Sequence, residues 1–267
     1  MKLYFLFKFF LHKSVQWSLA FFNLRLTNKK IYESNIKKIE KIHTLDFLLA
    51  CNNKNVEEII KNLPNSKSQF SQDLFVLNHL NFKKSGFFVE FGACDGIKLS
   101  NSWILEKKFK WNGILGEPAK FFHSDLNKNR DCFIELNCIS NISDNKITFK
   151  ETKDKELSAA LSYSLLDSHK SERYLGKTYD VTTISLNDLL DKYECPSNFD
   201  YLSIDTEGSE FEIIDSLNFN KYLPKIITIE HNYKIEKRNK IYNLLIKHGY
   251  KRVFKDISNC DDWYIIS

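Results

Sequence analysis

Carboxylates recur in four short segments of this chain, each following a run of apolar residues. The segments are Glu90-Phe91-Gly92-Ala93-Cys94-Asp95-Gly96, Glu117-Pro118, Asp205-Thr206-Glu207-Gly208 and Glu230-His231-Asn232. Carboxylates accept hydrogen bonds from hydroxyls, attract cations and, with a shifted pKa, move protons. Gly92 and Gly96 allow a tight turn and a close backbone approach to a ligand. Their spacing is not G-x-G-x-x-G, so no pyrophosphate fingerprint follows. A carboxylate before the turn, Glu90, repels phosphate and suits a cation. Glu117 has the two oxygens needed to accept both hydroxyls of a ribose. Together they point to a nucleoside cofactor with positive charge and no phosphates. S-adenosylmethionine, with its ammonium, sulfonium and ribose, has that chemistry.

These residues need elements to hold them. Gly86–Phe91, Gly113–Glu117, Cys132–Ile139, Lys146–Lys150, Tyr201–Asp205, Lys225–Glu230, Tyr250–Phe254 and Asp262–Ile266 read as strands. Helical patterns cover Ser100–Phe109, with Ser100 or Asn101 as N-cap, then Ala119–Asn129, Ser209–Leu217 and Arg238–His248, the last stopped by Gly249. Strands alternating with helices imply an α/β fold, a mostly parallel sheet with helices on both faces. The last two strands are expected as an antiparallel hairpin at one side. In such sheets ligands bind beyond the carboxyl ends of the strands, where all four acidic segments fall.

The chain has 267 residues, 43% hydrophobic and 27% charged, which excludes a disordered chain and a polytopic membrane protein. Its six cysteines form no C-x-x-C pair, so neither a zinc site nor a disulfide framework is expected, and a cytoplasmic setting is. Residues 1–70 hold 12 Lys/Arg against 5 Asp/Glu, leaving 27 and 29 for the remainder. The basic excess is therefore local, and no nucleic-acid partner is expected. Residues 1–69 read as a helical, basic N-terminal extension, with the boundary at Pro64-Asn65-Ser66, and residues 70–267 as the catalytic domain. Charges interrupt the apolar residues of Met1–Leu26, so a spanning helix is not expected. A packing helix and a basic segment resting on anionic lipid both remain open for residues 1–30, the latter placing the protein at the inner membrane surface.

Several motifs in order resemble the FkbM family of S-adenosylmethionine-dependent methyltransferases. They are Phe87–Gly96, Leu99-Ser100-Asn101, Leu105-Glu106-Lys107, Trp111–Pro118, Asp200–Glu210, Ile229–Tyr233 and Asp261-Asp262-Trp263-Tyr264. Cys94 and Gly116 stand where a polar and a slightly larger apolar residue are expected. The resemblance implies a Rossmann-like methyltransferase fold over residues 70–267, and O-methylation of a hydroxyl on a sugar, glycan or related metabolite. It makes Glu90, Gly92, Ala93, Asp95 and Gly96 a cofactor loop, with Ser100 and Asn101 on the methionine carboxylate. Glu117 falls on the ribose and Asp144 near the adenine.

For catalysis, Asp205 or His231 is expected to take the proton from the acceptor hydroxyl, with Glu207 positioning the acceptor. A divalent ion such as Mg²⁺ bridging Asp205, Glu207 and the acceptor is an open alternative. The polar stretch Lys150–Asp180 reads either as a substrate loop or as a solvated excursion. The competing function is a catalytically inactive Rossmann-like binding module in a glycan or lipid-sugar assembly complex.

Overall fold

A computed structural model describes residues 43–51, 55–152, 158–160 and 177–267. The basic segment 1–30 and most of the polar stretch from 150 to 180 lie outside the described residues. Asp46–Ser267 forms one compact unit, in which Phe47 packs on Phe254 and Trp263 at ring distances of 5.9 and 6.2 Å. Among the described residues no helix is long and apolar enough to cross a membrane.

The main sheet has seven strands. In chain order they are β1 (Phe87–Phe91), β2 (Asn112–Gly116), β3 (Phe133–Glu135), β8 (Tyr201–Ile204), β9 (Ile226–Glu230), β10 (Tyr250–Val253) and β11 (Asp261–Ile266). Their spatial order is β10-β11-β9-β8-β1-β2-β3. All pairs are parallel except those of β11, which runs antiparallel to both β9 and β10. This is a doubly wound, Rossmann-like sheet with one reversed strand inserted beside its edge. From β1 the chain turns first to β2 on one side and later to β8 on the other, so the switch point lies between β1 and β8.

Strands β1, β8 and β9 are covered on both faces, which explains their nearly unbroken apolar runs. Successive side chains alternate between two cores. Val89, Leu202 and Ile227 face α5 (Leu186–Lys192), α6 (Glu210–Asp215) and α7 (Ile235–Lys247). Phe88, Tyr201 and Ile226 face α1 (Val56–Asn62), α2 (Gln72–His79) and α3 (Trp103–Lys107).

Two local expectations are corrected. The stretch Cys132–Ile139 is not one strand. It breaks after Glu135, whose Oε1 accepts the Asn137 N–H at 3.0 Å. The chain then enters a second, four-stranded sheet as β4 (Cys138–Ser140), joined by β5 (Lys146–Glu151), β6 (Ala159–Ala160) and β7 (Lys177–Ser185). Helix α3 also starts later than Ser100, with Ser102 as N-cap and no side-chain cap bond. Ser100 Oγ still accepts from the N–H of Trp103 at 3.1 Å while it donates to Glu90, to which the Ser102 hydroxyl is also bonded.

Candidate active site

A cavity of about 450 Å³ opens at the carboxyl ends of β1, β2, β8 and β9. Its wall includes Glu90, Glu117, Asp205, Glu207, Glu230 and Asp261, and no Lys, Arg or His among the described residues. The chain folds to this arrangement because Gly92, at φ +79°, lets the end of β1 meet the end of β8. A Cβ there would lie 2.1 Å from the Asp205 carbonyl oxygen. The glycine therefore serves strand approach first.

Glu117 follows β2 and is buried. Its Oε2 accepts from Cys94 N and its Oε1 from Ala119 N, both at 2.8 Å. Each oxygen keeps one further lone pair open. Burial pushes this carboxyl up to about 7, against the opposing pull of the two backbone donors.

Glu90 also lines the cavity, but it anchors a buried polar knot. Its Oε1 accepts from Asn101 N at 2.6 Å, and its Oε2 from the hydroxyls of Ser100, at 3.0 Å, and Ser102. Arg130, fully buried at its side chain, completes the knot. It donates to Glu106 at 2.7 Å, the Gly96 carbonyl at 3.0 Å, Ser100 at 3.1 Å and Ser102 at 2.8 Å. Gly96, at φ +80°, makes room for this arginine, since a Cβ would sit 2.6 Å from Arg130 Cγ. The Asp95 carboxylate accepts from the N–H groups of Ile97 and Lys98, both at 2.8 Å. Of the expected cofactor loop, Ala93, Asp95, Gly96 and Ser100 thus stand outside the cavity wall, while Glu90, Gly92 and Asn101 form part of it. Arg130 carries no sequence signal, because its partners lie 24 to 34 positions earlier in the chain.

Asn101 bridges toward the opposite end of the cavity. Its Nδ2 donates to Ser203 Oγ at 2.9 Å, while its buried Oδ1 has no donor. Beyond it lie Asp205, Glu207, Glu230 and Asp261, backed by Glu210. Asp205 is solvent-exposed within the cavity, yet protein closely rings its carboxyl. The loss of water, then Glu207, Asp261 and Glu210, pushes that carboxyl well above its ordinary range. Burial and then Asp205 do the same to Glu230, whose Oε2 has no donor. Asp261 accepts from Gln72 Nε2 at 2.8 Å and is raised by burial to about 6. Glu210 differs. It accepts from Gly208 N at 2.8 Å and Thr206 N at 3.1 Å, and Lys237 Nζ sits 2.5 Å from its Oε2. Asp205, Glu210 and Glu230 each offer an oxygen within 4.8 Å of the others, but the Lys237 ammonium already serves one of the three.

His231 does not join this group. Its ring is buried, Nε2 lies 3.1 Å from the Asp261 carbonyl oxygen, and Nδ1 accepts from Tyr233 N at 3.0 Å. An Nδ1 that accepts from a backbone N–H is unprotonated, so the ring is neutral with its proton on Nε2. Burial lowers its pKa to about 4, which agrees. The ring has no nitrogen left for a substrate. Asp144 is also elsewhere. It is exposed in the turn between β4 and β5, at φ +62°, and does not line the cavity.

The model of the methyltransferase FkbM domain matches residues 90–252. No curated protein matches the sequence. Among solved structures, the chain is similar to methyltransferase FkbM from Methylobacillus flagellatus KT, with TM-score 0.43 and 11% identity, covering 78% of this chain and 60% of that one. It is similar also to precorrin-6y C5,15-methyltransferase from Geobacter metallireducens GS-15, with TM-score 0.38 and 13% identity, covering 68% and 72%. The CurJ carbon methyltransferase gives TM-score 0.39 and 7% identity, covering 91% and 72%.

Proposed function

The chain belongs to the FkbM methyltransferase family, and from that premise we propose that it methylates a hydroxyl on a sugar, glycan or related metabolite. The family implies S-adenosylmethionine as methyl donor, and the residues present fit it. The observation that carries the fit is Glu117. Two backbone donors fix its carboxylate and leave one lone pair open on each oxygen, which matches the two hydroxyls of a ribose. Asn101 Oδ1, a buried acceptor without a donor, suits the ammonium of the methionine part.

Bound S-adenosylmethionine supplies an electrophilic methyl carbon. The chain must align the acceptor oxygen and remove its proton. A sugar hydroxyl is barely ionised at pH 7, so a positioned base contributes about 10²–10⁴-fold. Asp205 takes this role, because it is the most exposed of the cavity carboxylates. Glu207, two residues on, orients the acceptor. Both His231 nitrogens are engaged with the backbone, which favours Asp205 over His231 as the base.

Calorimetric binding of S-adenosylmethionine and S-adenosylhomocysteine to the wild type and to Glu117→Ala tests this reading. The expected outcome is micromolar binding by the wild type and a loss of at least about tenfold in the variant. Folded wild type that binds neither compound would point instead to the non-catalytic binding module.

A further inference from the structure

Carboxylic groups crowd the cavity wall. Glu90, Glu117, Asp205, Glu207, Glu230 and Asp261 line it, with no cationic side chain among the described lining residues. Lys237 is close, but its ammonium is bonded to Glu210, and neither residue lines the cavity. S-adenosylmethionine carries an ammonium, a sulfonium and one carboxylate, a net charge of +1. At the ends of β8 and β9, Asp205, Glu230 and Asp261 crowd one another, and a cation bound among them would relieve that repulsion.

Two further observations point to a ligand with donors and positive charge. Glu230 is only 8% exposed, and its Oε2 has no hydrogen-bond donor. Tyr233, also part of the wall, is 67% exposed. Its backbone is held at φ +56°, and Asn232 at φ +49°, by the Tyr233 N–H to His231 Nδ1 and the Asn232 N–H to the Cys260 carbonyl. Consecutive non-glycine residues in that region persist only where their surroundings fix them. An exposed aromatic ring in the same cavity wall as the donor-free Glu230 oxygen suits a cationic ligand.

We propose that the methyl acceptor carries a protonated amine beside its reactive hydroxyl, as in an amino sugar, and that Glu230 and Tyr233 recognise this ammonium. The inference rests on the methyltransferase reading and names its substrate class. Sugar phosphates and uronic acids are rejected by like charge. A divalent cation on Asp205, Glu210 and Glu230 is the less favoured occupant, because Lys237 and two backbone donors already fill Glu210.

The test uses the full chain saturated with S-adenosylhomocysteine. Glucosamine, glucose, glucose 6-phosphate and, separately, Mg²⁺ are titrated by calorimetry at pH 7.5. Glucosamine is expected to bind at least about tenfold more tightly than glucose, with the phosphate not binding. That preference should vanish in Glu230→Gln, and Tyr233→Ala should weaken glucosamine about threefold. Saturation of Glu230→Gln with S-adenosylhomocysteine verifies that the variant is folded. Equal binding of glucose, binding of the phosphate, no glucosamine binding up to about 50 mM, a preference that survives Glu230→Gln, or Mg²⁺ binding that requires Glu230 would each overturn the proposal. A chain that fails to bind S-adenosylhomocysteine at all fails the methyltransferase reading instead.

Discussion

Glu90 and Glu230 are both buried, at 2% and 8% exposure, and both stand at the end of an interior strand. Their surroundings differ. Glu90 accepts three hydrogen bonds, and the knot around it includes Arg130 paired with Glu106 at 2.7 Å. Glu230 keeps a buried oxygen without a donor and faces Asp205, Glu210, Glu207 and Asp261, whose charges raise its pKa. A satisfied buried carboxylate stabilises the fold by fixing what surrounds it. An unsatisfied one among like charges costs stability and waits for a ligand. Glu90 and its knot therefore form the frame of the site, and the ends of β8 and β9 form its working surface.

The sharpest way to break this division is to cut the frame. Arg130→Met keeps much of the side-chain bulk and removes the guanidinium. It leaves Glu106 charged and buried. In the wild type, desolvation pushes the Glu106 carboxyl up, but Arg130, Lys107 and the Asp131 N–H outweigh this and hold it down to about 2. Breaking such a pair by removing one partner costs about 3–5 kcal/mol. Denaturant unfolding should show a loss of that order, and a loss below about 1 kcal/mol would mean that the knot is not a frame.

The same substitution logic reverses at the other end. Burial, then Asp205 and the other acids, raises the Glu230 carboxyl above its ordinary 4.5. An acid raised in the folded state supports folding below its unfolded pKa, and that support is lost as pH rises through the folded pKa. Glu230→Gln removes this loss. The ligand-free variant should therefore be more stable than wild type at pH 8. The two should converge as pH falls to about 4.5. A variant less stable than wild type at pH 8 would place Glu230 with the frame.

How far this division was legible in the sequence depended on burial. Strands β1, β2, β8 and β9 were readable because both faces are covered, so Phe88-Val89 or Ile226-Ile227 stand as apolar runs. Strand β7 and helix α5 were not recognised. The strand is half-exposed and polar, Lys-Thr-Tyr-Asp-Val-Thr-Thr-Ile-Ser, and blends into the polar stretch before it. The break between β3 and β4 has no glycine or proline to mark it, since Leu136-Asn137 forms the join. In the cavity wall, Glu117, Asp205 and Glu207 could be anticipated because strand ends can be read. The contacts of Ser100 and Gly96 with Arg130 were not legible, because Arg130 is distant in sequence. Asp261 appeared only within a motif; its facing of the cavity depends on the antiparallel pairing of β11 with β9.

A smaller effect sharpens the position of Glu117, which lies between the two regions. Its backbone donors belong to the frame, while its open lone pairs face the cavity. With its pKa at about 7, the carboxylate form with both lone pairs open is present above pH 7 and lost below it. If only that form binds the ribose, cofactor affinity should fall about tenfold from pH 8 to pH 6. Calorimetric Kd values for S-adenosylhomocysteine at pH 6, 7 and 8 measure this directly. A flat profile would detach Glu117 from the cofactor.

His231 gives the smallest expected effect and the finest discrimination, because it adjoins Glu230 in sequence yet belongs to the frame. Its neutral ring ties Tyr233 N to the Asp261 carbonyl and so links the two segments that carry Tyr233 and Asp261 into the cavity. In His231→Asn the amide oxygen can still accept from Tyr233 N, so the variant should fold, at a cost of about 1 kcal/mol for the lost ring. Its kcat should change by less than about threefold, whereas Asp205→Asn should lower kcat by about 10²-fold or more. The pH profiles separate the two roles further. A general-base histidine would give a limb near pH 6.5 that disappears on substitution. With the His231 pKa lowered to about 4 by burial, the ring is neutral throughout that range, and the profile of His231→Asn should superpose on that of the wild type. A limb near 6.5 that vanished with His231 would return the histidine to the working surface and remove the base role from Asp205.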